Sequence, residues 1–278
     1  MPKPKTAAGY DRAQVERVRA TCLYVATKLG DLLDELVVVG GLVPTLLIDQ
    51  GRTEGERHVG TFDLDVGMTL AILDGRRYEE LTARLRAAGF SPDENEKGNI
   101  TRQRWRIDGA HKVAVDFLIP PSREGDVGGK LRDIEPDFAA IIAPGLRLAF
   151  QDRVKITIAG KTIRDEQAKR EIWVCGPGAF VVMKALAFRS RGENKDAYDL
   201  VYLLRNYGAS VDEVAARVAP LLGDNEAKDA VLILREDFES IESVGPRRAA
   251  EFIHGERHDE AEADALGAVR DLLDALPD

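Results

Sequence analysis

The sequence predicts an α+β region followed by an all-α C-terminal region. Short apolar runs of strand length, such as residues 36–39 and 113–119, are interspersed with amphipathic helical segments in the first half of the chain. From Pro177 onward the pattern is helical and strand alternation is missing. We therefore expect two domains, residues 10–165 and residues 166–278.

Each element of the first region has a local signal. Helices are predicted where apolar residues recur at helical spacing, and strands where apolar runs are bounded by turn residues. The pair Asp108-Gly109 lies between two such strands and is typical of a hairpin turn. The predicted helices are 11–33, 42–48 and 76–88, and the predicted strands are 36–39, 62–70, 100–107, 111–119 and one within 153–163.

The second region is predicted to contain helices alone. The predicted segments are 178–190, 195–206, 211–222, 225–242, 246–254 and 259–276.

Composition excludes several classes of protein. The 278 residues are 44% hydrophobic and 31% charged, as in a globular protein. No apolar run approaches the roughly 20 residues that span a bilayer. The basic N-terminus is not followed by an apolar signal core, and Cys22 and Cys175 match no metal or redox spacing. We therefore expect a cytoplasmic protein with reduced thiols and no membrane partner.

The net charge and the positions of the histidines indicate which further partners are not expected. The formal net charge of −9 argues against a general nucleic-acid-binding surface, so no stable DNA binding is expected. The four histidines form no ligand cluster in the sequence.

Two aspartates one residue apart are the most informative feature of the chain. Asp63 and Asp65 follow a glycine pair, Gly40-Gly41, and a charged loop. Side chains two apart in a strand point to the same face, so these carboxylates are expected to project together. Neighbouring carboxylates repel unless a cation lies between them, and hard oxygen ligands suit Mg²⁺.

A third acid, Asp116, lies within the apolar run 113–119. An acid in such a strand is costly to bury without a partner. If this strand lies beside the strand of Asp63 and Asp65, the three carboxylates form a site that can hold two metal ions for phosphoryl transfer. The alternative, without a metal site, is that the acids are turn, cap or ion-pair residues.

A stripe of arginines is predicted on one strand. Arg102, Arg104 and Arg106 alternate and share a face. The stripe is either a solvated strand face or a contact surface for a triphosphate or an RNA backbone.

A further charged constellation lies in the helical region. Lys184 and Arg191 are seven residues apart and share a helix face, and so do Asp196 and Asp199, which are three apart. These groups either form a salt bridge between two helices or deliver a lysine to nucleotide phosphates.

These residues resemble the nucleotidyltransferase fold of the DNA polymerase β superfamily. More narrowly, they are similar to the AbiEii/AbiGii-type nucleotidyltransferase toxins of type IV toxin–antitoxin systems, which include the MenT toxins. Family members often carry an arginine shortly before the acid pair, and the nearest counterparts here are Arg57 and His58. The elements that carry the resemblance are Gly40-Gly41, Thr61 to Asp65, Asp116, Lys184 to Arg191, and Lys195 to Leu200.

The resemblance implies a mixed sheet with flanking helices and a set of roles for these residues. It implies Mg²⁺ held by Asp63, Asp65 and Asp116, an NTP donor, and a catalytic Lys184 that neutralises charge on the triphosphate. The implied nucleotide-binding residues are Gly40, Gly41, Thr61, Lys184, Arg189, Arg191, Asp196 and Asp199.

The expected activity is transfer of NMP from an NTP to an acceptor hydroxyl. The resemblance favours the 3′ end of a tRNA as acceptor and a cognate antitoxin as partner. Two alternatives stay open: a nucleotidyltransferase that modifies a small molecule, as with aminoglycosides, and a non-catalytic nucleotide-binding module of the same fold.

Overall fold

The computed structural model of the chain describes residues 4–51, 57–74, 77–95, 97–107 and 113–277. The predicted turn Asp108-Gly109 lies outside the described residues. Within them the helices are α1 (Arg12–Leu29), α2 (Val43–Leu47), α3 (Ala71–Asp74), α4 (Arg77–Ala87), α5 (Leu146–Gln151), α6 (Pro177–Arg191), α7 (Asn194–Asn206), α8 (Val211–Val218), α9 (Asn225–Asp237), α10 (Val244–His254) and α11 (Asp259–Ala275). The strands are β1 (Leu36–Val39), β2 (Asp63–Met68), β3 (Phe90–Glu94), β4 (Ile100–Ile107), β5 (Ala114–Ile119), β6 (Leu131–Glu135), β7 (Phe138–Ile142), β8 (Arg153–Lys161) and β9 (Gln167–Cys175).

The chain divides into two compact units. The sheet unit comprises Arg12–Val43 and Thr61–Cys175, and the helical unit comprises Met1–Asp11, Pro44–Gly60 and Gly176–Asp278. These bounds differ from the predicted boundary between residues 165 and 166. The sheet unit extends to Cys175 because β9 pairs with both β8 and β1.

The described strands of the sheet unit form one mixed sheet. The main path runs β3-β4-β5-β2-β1-β9-β8, and β7 joins β5 while β6 pairs with β7. The pairs β2–β5, β1–β9 and β5–β7 are parallel. This mixed sheet with flanking helices, together with the helical C-terminal region, confirms the predicted α+β class.

Burial of apolar faces explains the core of the sheet unit. All four residues of β1 are buried, as are Leu64 and Val66 of β2. Helix α1 buries the apolar positions that predicted it, including Val18 and Cys22. It ends at Leu29 rather than residue 33, and 3-10 turns continue over Gly30–Glu35.

Several strands were missed because their sequences lack a clean alternation. Strand β3 contains Pro92, which removes a backbone donor and disfavours a strand except at a sheet edge. It does lie at one end of the main path, with a register shift between Pro92 and Asp93. Strand β9 is charged and mostly exposed over its first half, so no apolar run marks it. The strands β6 and β7 and the short helix α5 were also not predicted.

The helical unit confirms the predicted helices to within a few residues at most ends. Helix α6 begins with Pro177 at its first position and is followed by Gly192 at φ 65°, as expected for helix start and stop signals. Residues 44–60 belong to this unit because Ile48 packs in a cluster with Tyr198, Tyr202 and Phe252. No described helix combines the length and apolar character needed to cross a bilayer.

Candidate functional site

The three predicted acids converge on one face of the sheet. Strands β2 and β5 are parallel neighbours with Asp65 directly opposite Asp116, and Asp63 lies two residues earlier on β2. One carboxylate oxygen from each residue lies within 4.8 Å of the others. Asp63 and Asp116 are buried and Asp65 is partly exposed. The prediction that these acids lie together is confirmed.

The glycine turn at the end of β1 lies against this acid triad, which we define as Asp63, Asp65 and Asp116. Val39 pairs with Asp65, so Gly40 follows immediately beside that carboxylate. Gly40 has φ 71°, and a Cβ added to it would lie 2.0 Å from Oδ2 of Asp65. The position therefore requires glycine both for its backbone conformation and for the space taken by the Asp65 side chain.

Substitution of this glycine is expected to weaken divalent-ion binding. In Gly40→Ala the new methyl group must displace the carboxylate of Asp65, because that side chain is the atom group it meets first. We expect an affinity for Mn²⁺ about tenfold lower by calorimetry, equivalent to about 1.4 kcal/mol.

Gly129→Ala is the matched control for this substitution. Gly129 has φ 78° but nothing within 4 Å of an added Cβ. Backbone strain of about 1–2 kcal/mol is therefore common to both variants, whereas only Gly40→Ala brings a methyl group against the carboxylate of Asp65. Equal losses of ion affinity in the two variants would show that the proximity to Asp65 has no consequence.

Two further side chains of the sheet unit donate hydrogen bonds to the acid triad. Arg104 lies opposite Asp116 in the β4–β5 pair, and its Nε and Nη2 donate to Oδ1 and Oδ2 of Asp116 at 2.8 and 2.6 Å. Nη2 also donates to Oδ2 of Asp63 at 3.3 Å. Thr61 donates through Oγ1 to Oδ1 of Asp63 at 3.0 Å. The hydrogen bond to Asp116 raises the pKa of Arg104 above its usual value, against the opposite effect of burial.

The predicted arginine stripe is paired with acids. Arg102 lies 2.8 Å from Asp133, and Arg106 lies 3.2 Å from Asp93. With Arg104 bound to Asp116, each arginine of the stripe has a carboxylate partner in the sheet unit. The stripe therefore presents less positive charge than its sequence indicates.

The donor set of the acid triad fits a hard divalent cation. Three carboxylates within reach of one another match the oxygen ligands that Mg²⁺ and Mn²⁺ prefer. Because residue 40 is glycine, it has no side chain of its own to press on the Asp65 carboxylate. Asp63, Asp65 and Asp116 are the residues of this site that would hold such an ion.

The predicted charged residues of the helical unit form a cluster of their own within that unit. Lys184 is 7% exposed and donates to Asp196 at 2.9 Å and to Asp199 at 2.6 Å. Arg191 donates to both carboxylate oxygens of Asp196, at 2.6 and 2.7 Å. Lys195 donates to Asp199 at 2.6 Å. We call these five residues, together with His58, the charged cluster.

His58 enters the charged cluster from a distant part of the sequence. Its Nε2 lies 2.9 Å from Oδ1 of Asp199, and its Nδ1 accepts a hydrogen bond from the backbone N–H of Gly60 at 3.0 Å. Because Nδ1 is an acceptor, the neutral ring carries its proton on Nε2 and donates it to Asp199. Burial lowers the pKa of His58 to about 4, although the hydrogen bond to Asp199 acts in the opposite direction.

The cluster balances most of its own charge. Burial by itself lowers the pKa of Lys184, but the negative charges of Asp196 and Asp199 outweigh this effect and raise it. Lys184 is therefore protonated and already compensated by two carboxylates. Arg189 is not part of the cluster, since it pairs with Glu236 and Asp237 on the surface.

The buried histidine predicts a specific dependence of stability on pH. The unfolded state binds a proton at His58 near pH 6.5, whereas the folded state binds it only near pH 4. Stability is therefore retained above pH 6.5 and lost as the pH falls towards 4. The loss is about 1.4 kcal/mol per pH unit and about 3 kcal/mol in total.

Urea unfolding between pH 7 and pH 4 measures this loss directly. His58→Gln is expected to remove this share of the pH dependence. His254→Gln, which alters an exposed histidine of the same unit, is expected to retain it. An unchanged slope in His58→Gln would contradict the assignment.

The helical unit also contains an open cleft of about 1310 Å³. Its floor includes Ile48 and Tyr202, and its charged lining includes Glu213, Asp264 and Arg205. Arg205 and Asp264 pair at 3.1 Å.

Three residues were missed or misplaced by sequence reasoning. Arg104 was predicted to lie on a strand face that was either solvated or a contact surface for a triphosphate or an RNA backbone, but it binds the acid triad. His58 was not predicted as a site residue, because only the folded chain brings it to Asp199. Lys195 was also not predicted, although its i,i+4 spacing from Asp199 on a predicted helix was a signal that could have found it.

Comparison with known proteins gives matches among solved structures alone. No protein family's sequence profile matches the chain, and no curated protein matches it. Among the solved structures that match is an antigenic nucleotidyltransferase-like protein from Paracoccidioides brasiliensis. That match covers 82% of this chain and 92% of that chain, with a TM-score of 0.45 and 16% sequence identity. A likeness at this level carries no argument about chemistry, which has to come from the site itself.

Proposed function

We propose that this protein is a Mg²⁺-dependent nucleotidyltransferase that transfers NMP from an NTP to an acceptor hydroxyl. The observation that carries the proposal is the acid triad, formed by two parallel neighbouring strands with one oxygen of each acid within 4.8 Å of the others. Carboxylates arranged in this way are suited to hold cations that balance the charge of a triphosphate.

We propose a separate role for each acid. Asp63 and Asp65 are proposed to hold an ion, which supplies positive charge to the triphosphate when it is bound. Asp116 is proposed to help hold the cations of the site and to accept the proton of the acceptor hydroxyl. The acceptor oxygen forms a bond to the α-phosphorus, and the bond from that phosphorus to the pyrophosphate oxygen breaks. Catalysis of this kind depends mostly on positioning and charge stabilisation.

The nucleotide contacts of the glycine turn and of the helical unit are part of the proposal. Gly40 and Gly41 would let the phosphates approach the backbone closely. Lys184 and Arg191 would contact phosphates, and Arg191 is the more accessible of the two, since its side chain is more than half exposed. The pairing of Arg189 with Glu236 and Asp237 does not favour the role predicted for it.

The acceptor is proposed from the resemblance to the toxin family. It is the 3′ end of a tRNA, and the partner is a cognate antitoxin. The paired arginines of β4 do not add support for an RNA surface at that strand. A small-molecule acceptor is the alternative that the same assay separates.

One observation favours a second candidate, a non-catalytic module of the same fold. Arg104 compensates the charge of Asp116 and also reaches Asp63. In that case the acids would serve the stability of the sheet and would bind no ion.

A labelling assay tests the proposed function. The purified protein is incubated with Mg²⁺, each α-³²P-labelled NTP in turn, and total RNA, total protein or a small-molecule extract as acceptor. Transfer of label that is abolished by EDTA is the expected result, and the fraction that gains label identifies the acceptor. A protein that binds no divalent ion by calorimetry and labels no fraction would instead be the non-catalytic module.

A further inference from the structure

A guanidinium group occupies one side of the acid triad. Asp65, Asp116 and Arg104 lie opposite one another on three neighbouring strands, β2, β5 and β4. Side chains at paired positions of neighbouring strands share a face of the sheet. The strand pairing therefore places a fixed positive charge in the same row as two of the three acids.

The contacts of Arg104 are unequal among the acids. It forms a bidentate interaction with Asp116, in which one donor contacts each carboxylate oxygen, at 2.8 and 2.6 Å. Its contact with Asp63 is longer, at 3.3 Å. Planar guanidinium and carboxylate groups match best in this paired geometry, so the interaction with Asp116 is the strong one.

An ion bound by Asp116 would have to compete with this interaction. Mg²⁺ binds carboxylate oxygens at about 2.0–2.1 Å. Both oxygens of Asp116 already accept hydrogen bonds from Arg104, so such an ion would lie close to a like charge. The ion and the guanidinium group of Arg104 would repel each other. This repulsion is weakest for an ion that is held by Asp63 and Asp65.

We propose that Arg104 is a built-in cation that holds the Asp116 side of the triad, so that the nucleotide-free site binds one divalent ion, through Asp63 and Asp65, instead of two. The inference rests on the proposed function, because it concerns how the same acids bind ions. It makes Arg104 a residue that sets the number of ions in the site.

The number of bound Mn²⁺ ions per chain, measured by calorimetry and by electron paramagnetic resonance of free Mn²⁺, tests this inference. The wild type is expected to bind one ion. Arg104→Met, which removes the charge and keeps most of the side-chain length, is expected to bind two. Arg102→Met is the matched control, since Arg102 lies on the same strand but pairs with Asp133, and it is expected to bind one.

A second variant keeps the test decisive if Arg104→Met does not fold. Arg104→Gln removes the positive charge and keeps an amide that can donate to Asp116, and it is expected to bind two ions. Two ions in the wild type, or one ion in a folded Arg104→Met or Arg104→Gln, would each overturn the inference.

The outcomes separate this inference from the proposed function. If the wild type binds two ions and transfers nucleotides, only the role of Arg104 is wrong. If the wild type binds no ion and transfers no label, both the proposed function and the inference fail.

Discussion

Asp65→Asn is expected to reduce nucleotidyl transfer by about two to three orders of magnitude, the size of losing one major electrostatic contribution to a transition state. Asp65 is the most exposed acid of the triad, so replacing its charge disturbs the folded sheet less than replacing Asp63 or Asp116. The amide keeps the shape of the side chain and removes the negative charge that an ion requires. The measurement is the initial rate of label transfer in saturating Mg²⁺.

The control for this variant is Asp133→Asn, which removes an exposed carboxylate of the same unit that pairs with Arg102. Its transfer rate is expected to stay within about twofold of the wild type, since a surface ion pair contributes little. Thermal unfolding of both variants should begin at nearly the wild-type temperature. Full transfer activity in a folded Asp65→Asn would remove Asp65 from the site.

Lys184→Met is expected to lower the free energy of unfolding of the helical unit by about 1.5–3 kcal/mol, because two buried carboxylates each lose one charged hydrogen-bond donor while Arg191 and Lys195 stay paired with them. Here Asp196 and Asp199 are both buried, and each loses a donor at less than 3 Å. The unfolding midpoint should fall by roughly 3–12 °C, at about 2–4 °C per kcal/mol for a protein of this size. Circular dichroism during heating measures the change.

Lys228→Met is the control for this substitution, since Lys228 is an exposed lysine on helix α9 of the same unit. Its midpoint is expected to change by less than about 2 °C. A double variant, Lys184→Met with Asp199→Asn, should be less stable than Lys184→Met alone, because Lys195 then loses its carboxylate partner. A midpoint for Lys184→Met as close to the wild type as that of the control would show that the cluster does not depend on this lysine.

Sequence periodicity predicted the strands that carry the acid triad, but not their adjacency. The two-residue spacing of Asp63 and Asp65 placed them on one face, and the apolar run around Asp116 predicted a second strand. Both inferences use only the local geometry of a strand. The fold class followed from the same local patterns, with the change to helices after Pro177.

The partners of these acids could not be predicted in the same way. Whether Arg104 faces Asp116 depends on the register of β4 against β5, and a shift of one residue would turn Arg104 to the other face. His58 reaches Asp199 across 141 residues of sequence, a contact that no local pattern encodes. Residues 44–60 belong to the helical unit for a similar reason, since Ile48 packs on Tyr198 and Tyr202.

The location of a bound ion tests the central claim most directly. Crystals of the wild-type protein grown with Mn²⁺ and a non-hydrolysable NTP analogue are examined by anomalous diffraction at the manganese edge. The proposed function predicts an anomalous peak about 2.1 Å from carboxylate oxygens of Asp63 and Asp65, a distance typical of a small divalent ion bound by oxygen. Full occupancy of the analogue elsewhere, with no anomalous peak at the acid triad, would contradict it.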